Sequence, residues 1–211
     1  SPYHEKLVKE YLKKIMDNGY IYKKEAMQDY CPDCKTFLSD REIIGICPHC
    51  GGAAKGDQCD DCSATLNASE VLDKKCSICH TSTIQRPNTH LYFSLSRFQD
   101  KIKAWNNERL GQWRNNATNE TNKFLDMGLI DRAVTRQLSW GVDVPFDGFK
   151  DKKIYVWIEA VLGYLTAGQR VAESRGINFE EFMKKGNVTS YYSHGKDNIP
   201  FHTVIFPALL M

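Results

Sequence analysis

No run of apolar residues in this chain reaches the about eighteen that a spanning helix needs, and no signal-peptide pattern is visible, so these residues are not read as membrane-spanning. An excess of charge is lacking too. With 28 Lys and Arg against 26 Asp and Glu the formal balance is +2, and eight thiolates with two dications would bring it to about −2. No global basic field is therefore available to draw in nucleic acid. Internal repeats beyond the cysteine pairs, low-complexity segments and obvious linkers are absent as well. Cysteine is missing before residue 31 and after residue 79.

What is there in between is a metal pattern. All eight cysteines fall into four Cys-x-x-Cys pairs: Cys31/Cys34, Cys47/Cys50, Cys59/Cys62 and Cys76/Cys79. Two thiolates three residues apart can face one ion, and tetrahedral zinc takes two such turns, so four pairs make two sites. The turns carry the residues of tight knuckles, as in Cys31-Pro32-Asp33-Cys34 and Cys47-Pro48-His49-Cys50-Gly51-Gly52. Joining Cys47/Cys50 to Cys59/Cys62 closes a short loop and leaves Cys31/Cys34 for Cys76/Cys79. Pairing first with second and third with fourth also closes short loops, and geometry alone leaves both open. His49 and His80 adjoin ligand cysteines but are not needed to fill two tetrahedra. Four Asn-x-Ser/Thr sequons could recruit a secreted, disulfide-bonded reading, yet regular Cys-x-x-Cys spacing outside a secreted context reads as zinc in a reducing, cytoplasmic compartment. Aliphatic residues are sparse between the knuckles, so metal substitutes for a core there.

At 211 residues the chain can bury a real core outside that lobe. Tyr3, Leu7, Val8, Tyr11, Leu12, Ile15 and Met16 recur at helical spacing, with Ser1-Pro2 suited to the start and Asn18-Gly19 to the stop. Tyr20-Ile21-Tyr22 and His90 to Leu95 read as strands, and residues 80 to 89 as a polar connection between the lobe and the second strand. Residues 96 to 108 and 112 to 127 read as helices stopped near Gly111 and Gly128. From Lys153 the pattern becomes βαβα. Lys153 to Ile158 suits a buried parallel strand, Ala160 to about Ser174 a helix, Thr189 to Ser193 a strand, and Ile199 to Phe206 a helix that begins near Pro200. Such an order predicts an α/β fold with a parallel sheet and ligands beyond its strands' carboxyl ends, at Trp157 to Tyr164 and His194 to His202. The apolar run at Met211, with no stop signal, reads as a fragment of a longer protein.

Several motifs together resemble one family. Gly19-Tyr20-Ile21-Tyr22, the four knuckles with Gly56-Asp57-Gln58-Cys59-Asp60, His90-Leu91-Tyr92-Phe93, Gly128 through Arg136, Tyr155-Val156-Trp157-Ile158-Glu159-Ala160, Gly163-Tyr164, and Gly195-Lys196-Asp197-Asn198 through Ala208 are similar to the middle of the methionyl-tRNA synthetases. The resemblance implies a class I Rossmann (HUP-like) catalytic domain with an inserted zinc-knuckle connective peptide. By it, residues 1 to 22 are a helix and strand of the domain's first half, 23 to 90 the connective peptide, 91 to 152 a mainly helical connective region, and 153 to 211 the truncated second half. It also supports nested zinc pairing: Cys47, Cys50, Cys59 and Cys62 on one ion, Cys31, Cys34, Cys76 and Cys79 on the other.

The family's methionine pocket maps onto Trp157, Ala160, Tyr164, Phe201 and His202, with Arg136 and Asp197 on the polar side toward ATP and its magnesium. Trp157, Ala160 and Tyr164 can share one face, and aromatic contacts plus one phenol donor are about what a protein can offer a thioether. The implied partners are methionine, ATP and tRNA(Met), with self-association of an isolated piece. Departures are Gln137 and Glu159, where the family usually has aspartate, and Val161, often proline. The HIGH and KMSKS motifs that bind ATP in this family, and an anticodon-binding domain, do not occur within these residues. A free-standing zinc-ribbon binding module would need a clustered basic or aromatic face on the knuckles, whereas residues 31 to 79 mix both signs. A rubredoxin-like iron protein would show colour and iron.

Overall fold

The computed structural model describes residues 1–56, 59–62, 66, 68–109, 111–185 and 188–211. In chain order its elements are α1 (Pro2–Asp17), β1 (Ile21–Cys31), β2 (Thr36–Phe37), β3 (Ile43–Ile46), β4 (Ala53–Lys55), β5 (Leu72–Cys76), β6 (Ile84–Phe93), α2 (Gln99–Asn107), α3 (Asn115–Asp126), β7 (Arg132–Ala133), β8 (Thr135–Arg136), β9 (Lys153–Ile154), α4 (Val156–Ser174), α5 (Phe179–Lys184) and α6 (Phe206–Leu210). Two compact units result: Lys24–His90, and Ser1–Lys23 together with Leu91–Met211. Strands β1 and β6 carry the chain between them and are neighbours in a sheet, with β2 beside β1 and β7 beside β6.

In the larger unit, α1 starts where its sequence says it should. Ser1 Oγ accepts from the backbone N–H of His4, Pro2 opens the helix, and Gly19 at φ 75° turns the chain out of it. Its buried stripe of Leu7, Val8, Leu12 and Ile15 joins a core with Leu91, Phe93, Phe98, Ile102, Ile154, Ile158, Val161 and Leu162. Polar ties reinforce this packing. The Tyr11 hydroxyl donates to Gln169 at 3.0 Å, and His4 bridges Thr166 (Nδ1, 2.9 Å) and Glu159 (Nε2, 3.1 Å). Gln99 clamps the end of α3, donating to the Leu125 carbonyl and accepting from the Leu129 N–H.

Three readings of the sequence need correction. The run Lys153 to Ile158 is a strand only at β9, because α4 already begins at Val156 and places Ile158, Val161 and Leu162 on its buried side. Thr189 to Ser193 forms no regular strand; among the described residues no strand pairs with it, and Tyr191 stands 91% exposed. Residues 84 to 89, taken as a polar connection, are instead the first part of β6, whose solvent-facing side chains hide its strand character. The α/β character with an inserted cysteine lobe stands, but the pairings of β1 with β2, β3 with β4 and β5, β6 with β7, and β8 with β9 are all antiparallel. The expected parallel ladder needed both misread strands.

The segment entered at Pro200 is helical, as its sequence suggests, with one irregularity. Phe201–Ile205 is a π-helical turn in which the Phe206 N–H reaches the Phe201 carbonyl. Pro207 accounts for it: a proline ring clashes with the carbonyl four residues back, here Thr203, and a widened turn relieves the clash.

Among its described residues the smaller unit has two small apolar clusters, one of Cys47, Ala54, Cys59, Leu66 and Val71, the other of Cys31, Leu38, Ile43 and Cys76. Buried Asp29 is satisfied by Lys74 at 2.9 Å and the Thr83 hydroxyl at 2.7 Å. Residues that follow the second cysteine of a pair turn left-handed: Lys35 (φ 53°), Gly51 (φ 73°) and His80 (φ 60°). A side chain costs about 1–2 kcal/mol in that region. A Cβ at Gly51 would meet nothing, so Gly51→Ala isolates the backbone cost. Thermal melting of the lobe should show Gly51→Ala destabilising it by about 1 kcal/mol, and His80→Gly leaving it no less stable. A neutral Gly51→Ala would contradict this account of the knuckles.

Candidate functional site

The four cysteine pairs gather into two groups whose sulfurs lie within 4.8 Å of one another: Cys31, Cys34, Cys76 and Cys79, and Cys47, Cys50, Cys59 and Cys62. The second is nested between the members of the first in sequence. Measured edges are 3.3 Å (Cys31 to Cys79), 3.9 Å (Cys34 to Cys76), 3.9 Å (Cys47 to Cys62) and 3.5 Å (Cys50 to Cys59). A tetrahedron with metal–sulfur bonds of about 2.3 Å has edges of about 3.8 Å, so either cage could hold such an ion. Backbone N–H groups already aim at the sulfurs, from Cys34 to Cys31, from Gly52 to Cys50 and from Cys62 to Cys59. The N–H of Cys62 holds the Cys59 thiol down to about 7, and that of Thr81 holds Cys79 down to about 6. Cys34, hydrogen-bonded to the Cys79 sulfur, is pushed up to about 12. Four thiols this close cannot all ionise unless a cation shares the cage.

A second constellation lies in the larger unit, where α4 and the π-helical turn present aromatic rings. Trp157 (41% exposed), Ala160 and Tyr164 (44% exposed) do share one face, but a purely helical one within α4. Trp157 packs on Phe201 with centroids 5.4 Å apart. Tyr164 lies 5.6 Å from His202 and 4.9 Å edge-on from Tyr192. Its hydroxyl is 2.9 Å from His202 Nε2.

The tautomer follows from the other ring nitrogen. His202 Nδ1 is 2.9 Å from the carbonyl of Asn198, which can only accept, so Nδ1 carries the proton. Nε2 is then the acceptor, and Tyr164 donates to it. Burial pushes the His202 pKa down, as does His194 beside it, against the opposing pull of the Asn198 carbonyl. The single phenol donor expected for a ligand thus spends its proton on His202.

Of the residues expected for the pocket, Trp157 meets Phe201, Tyr164 meets His202 and Ala160 lies between them on the helix face, whereas Arg136 and Asp197 are not joined by an ion pair among the described residues. Arg136 stacks over Tyr155 at 4.0 Å and donates to the carbonyls of Ala133 and Thr135. Asp197 is exposed on a 3-10 turn, Lys196–Asn198, ahead of the helix. Tyr192 belongs to the aromatic group and was missed by sequence reasoning, whereas His194, which also belongs to it, opens the stretch expected beyond the second strand. Residues 189 to 193 were read as a strand, which would have assigned Tyr192 to a sheet; only the tertiary approach of this segment to α4 reveals its role.

Comparison with known proteins places the chain. A family model described as tRNA synthetases class I (M) matches residues 1–211. Methionine–tRNA ligase 1 of Bacillus cereus is 46% identical over 213 aligned residues, and methionine–tRNA ligase of Bacillus mycoides 47%, each covering 100% of this chain. The chain spans 39% of the length of these curated relatives. Methionyl-tRNA synthetase of Mycobacterium tuberculosis bound by methionyl-adenylate superposes with a TM-score of 0.62 at 23% identity, covering 100% of this chain and 36% of that one. Its free-state structure gives 0.61 at 23% identity, covering 98% and 36%. At such identity these two establish the fold alone. With every residue from 1 to 211 matched by the family model, the chain belongs to the class I tRNA synthetases of the methionyl type.

Proposed function

We propose that this chain forms part of a methionine–tRNA ligase, the enzyme that activates methionine with ATP and transfers it to tRNA(Met), and that it contributes the methionine side-chain wall and two structural zinc sites. The observation that carries the first assignment is the clustering of Trp157 with Phe201 and of Tyr164 with His202 on the half-exposed face of α4. An apolar, polarizable side chain is held by aromatic faces, and the half-exposed rings of Trp157 and Tyr164 supply them. Ala160, between them on the helix, keeps the wall shallow. Arg136 and Asp197 are assigned to the polar side, toward the carboxylate and the magnesium-bound ATP; Arg136 is preset by its stack on Tyr155. Residues Lys24–His90 correspond in this reading to the connective peptide and 153 to 211 to the second half of the catalytic domain.

Zinc fits both cages because the donors are all thiolates, the edges are tetrahedral in length and backbone N–H groups are in place. Cys31, Cys34, Cys76 and Cys79 would hold one ion, and Cys47, Cys50, Cys59 and Cys62 the other. When bound, each ion is a structural cross-link and takes no part in adenylation. A reducing, cytoplasmic setting suits thiolate ligands. Elemental analysis should return two zinc ions per chain, and chelation should unfold the lobe before the helical unit melts. A single ion, or iron, would contradict the assignment.

Adenylation in this class rests on aligning the methionine carboxylate with the α-phosphate of ATP, and alignment is worth up to about 7–11 kcal/mol of barrier. These residues hold neither the HIGH nor the KMSKS motif. The 211-residue chain alone should therefore bind methionine weakly and catalyse no methionine-dependent pyrophosphate exchange, and exchange above a buffer control would refute this. Trp157→Ala, which removes one aromatic wall, should weaken methionine binding in calorimetry by about 10-fold or more, since a lost aromatic contact costs about 0.5–1.5 kcal/mol beyond its buried area. Unchanged affinity would remove Trp157 from the pocket.

A further inference from the structure

Val171, Ile177, Phe182 and Met183 each leave between 38% and 50% of their surface exposed, and all four border one hollow between α4 and α5. Its volume is 440 Å³, and Tyr164 and Tyr192 close its near end. Neither Trp157 nor Phe201 lines it, so its far end is a space apart from the proposed methionine wall. Single exposed apolar residues are ordinary, whereas several around one concavity of this size are what a small-molecule site presents.

The sequence builds the hollow from three local features. A Cβ at Gly168 would come within 2.7 Å of Phe179 Cε2, so glycine there lets the Phe179 ring lie against the α4 backbone as a floor instead of standing up into the space. Asn178 caps α5, its side chain accepting from the Glu181 N–H, and Phe179, Phe182 and Met183 then fall at i, i+3 and i+4 on one face. The far end is shut by the cap of α4. The Ile177 N–H reaches the Ala172 carbonyl, and that of Gly176, at φ 64°, the Glu173 carbonyl; this Schellman turn folds Ile177 back beside Ala172.

Among the described residues the one charged side chain on this lining is Arg175, and no described side chain pairs with it. The acidic groups of Glu173 and Glu180 are bonded to Gln169 and Lys184 instead. A guanidinium keeps its charge at any physiological pH, and its fork of donors matches a carboxylate. We propose that this hollow is a binding site for a small aromatic carboxylate, whose ring body lies against Phe179, Phe182 and Tyr192 and whose carboxylate meets Arg175, with the Ser190 hydroxyl as a second donor on the lining. Aromatic faces favour a flat body, and the lone cation selects an anion over a neutral or cationic analogue. Nothing in this assignment depends on what the Trp157 side of α4 receives.

Calorimetric titration of the 211-residue chain with naphthoate, naphthylmethanol and naphthylmethylamine, probes of one shape and different charge, tests it. Naphthoate should saturate one site and bind about 10-fold or more tighter than the alcohol, as a charge-assisted hydrogen bond implies, with the amine weakest. Arg175→Gln should remove the preference for naphthoate while leaving the alcohol's affinity as it was. Val171→Trp, at a half-exposed helix position, should fill the space and abolish binding of all of them with the circular dichroism spectrum unchanged. In methyl-detected NMR of the wild type, naphthoate should move the Met183 and Val171 signals. No saturable naphthoate binding, an Arg175→Gln variant that keeps the preference, or Met183 and Val171 signals that stay in place while naphthoate binds would each overturn the proposal.

Discussion

The aromatic site depends on the rotation of α4 about its own axis. Ile158, Val161 and Leu162 are almost fully buried, and His4 and Tyr11 of α1 bond to Glu159, Thr166 and Gln169 on the flank. Once those groups face the core, a helix of 3.6 residues per turn has no choice but to turn Trp157, Ala160 and Tyr164 outward together. A one-residue slip of α4 would rotate the wall by about 100° and scatter the pocket. The rest of that wall is set by Pro207, whose demand for a widened turn places Phe201 and His202 in contact with Trp157 and Tyr164 of α4.

Sulfur takes the role in the cysteine lobe that aliphatic packing takes elsewhere. Each of its apolar clusters is a handful of residues, two of them cysteines in each case. Four thiols within 4.8 Å of one another carry opposed acidities, as Cys79 and Cys34 show, and only a shared cation reconciles them. The left-handed turns at Lys35 and His80 are costs that a glycine would not incur, accepted so that the backbone N–H groups can point at sulfur.

Much of this was legible in the residues. The start, stripe and stop of α1 each had a local cause, from the Ser1 cap to Gly19, and local causes can be read. The knuckles were equally plain, since Cys-x-x-Cys spacing is a constraint carried within four residues. Lys153 to Ile158 misled because α4 is apolar on both sides: Val156 and Trp157 face outward beside buried Ile158, which removes the periodicity that separates helix from buried strand. Thr189 to Ser193 has strand composition, but a strand exists only where a partner pairs with it. Tyr192 reaches the aromatic group through tertiary folding that no spacing encodes.

The central claim, which we propose, is that one aromatic wall, made by α4 and the π-helical turn, receives the methionine side chain. Crystals of this chain grown with selenomethionine as free ligand, measured at the selenium edge, locate that side chain directly. The account predicts a selenium peak against the rings of Trp157, Tyr164 and Phe201. A peak away from Trp157 and Phe201, for instance deep in the 440 Å³ apolar cavity that begins at Tyr164 and Tyr192 and runs between α4 and α5 to Val171, Phe179 and Phe182, would contradict it.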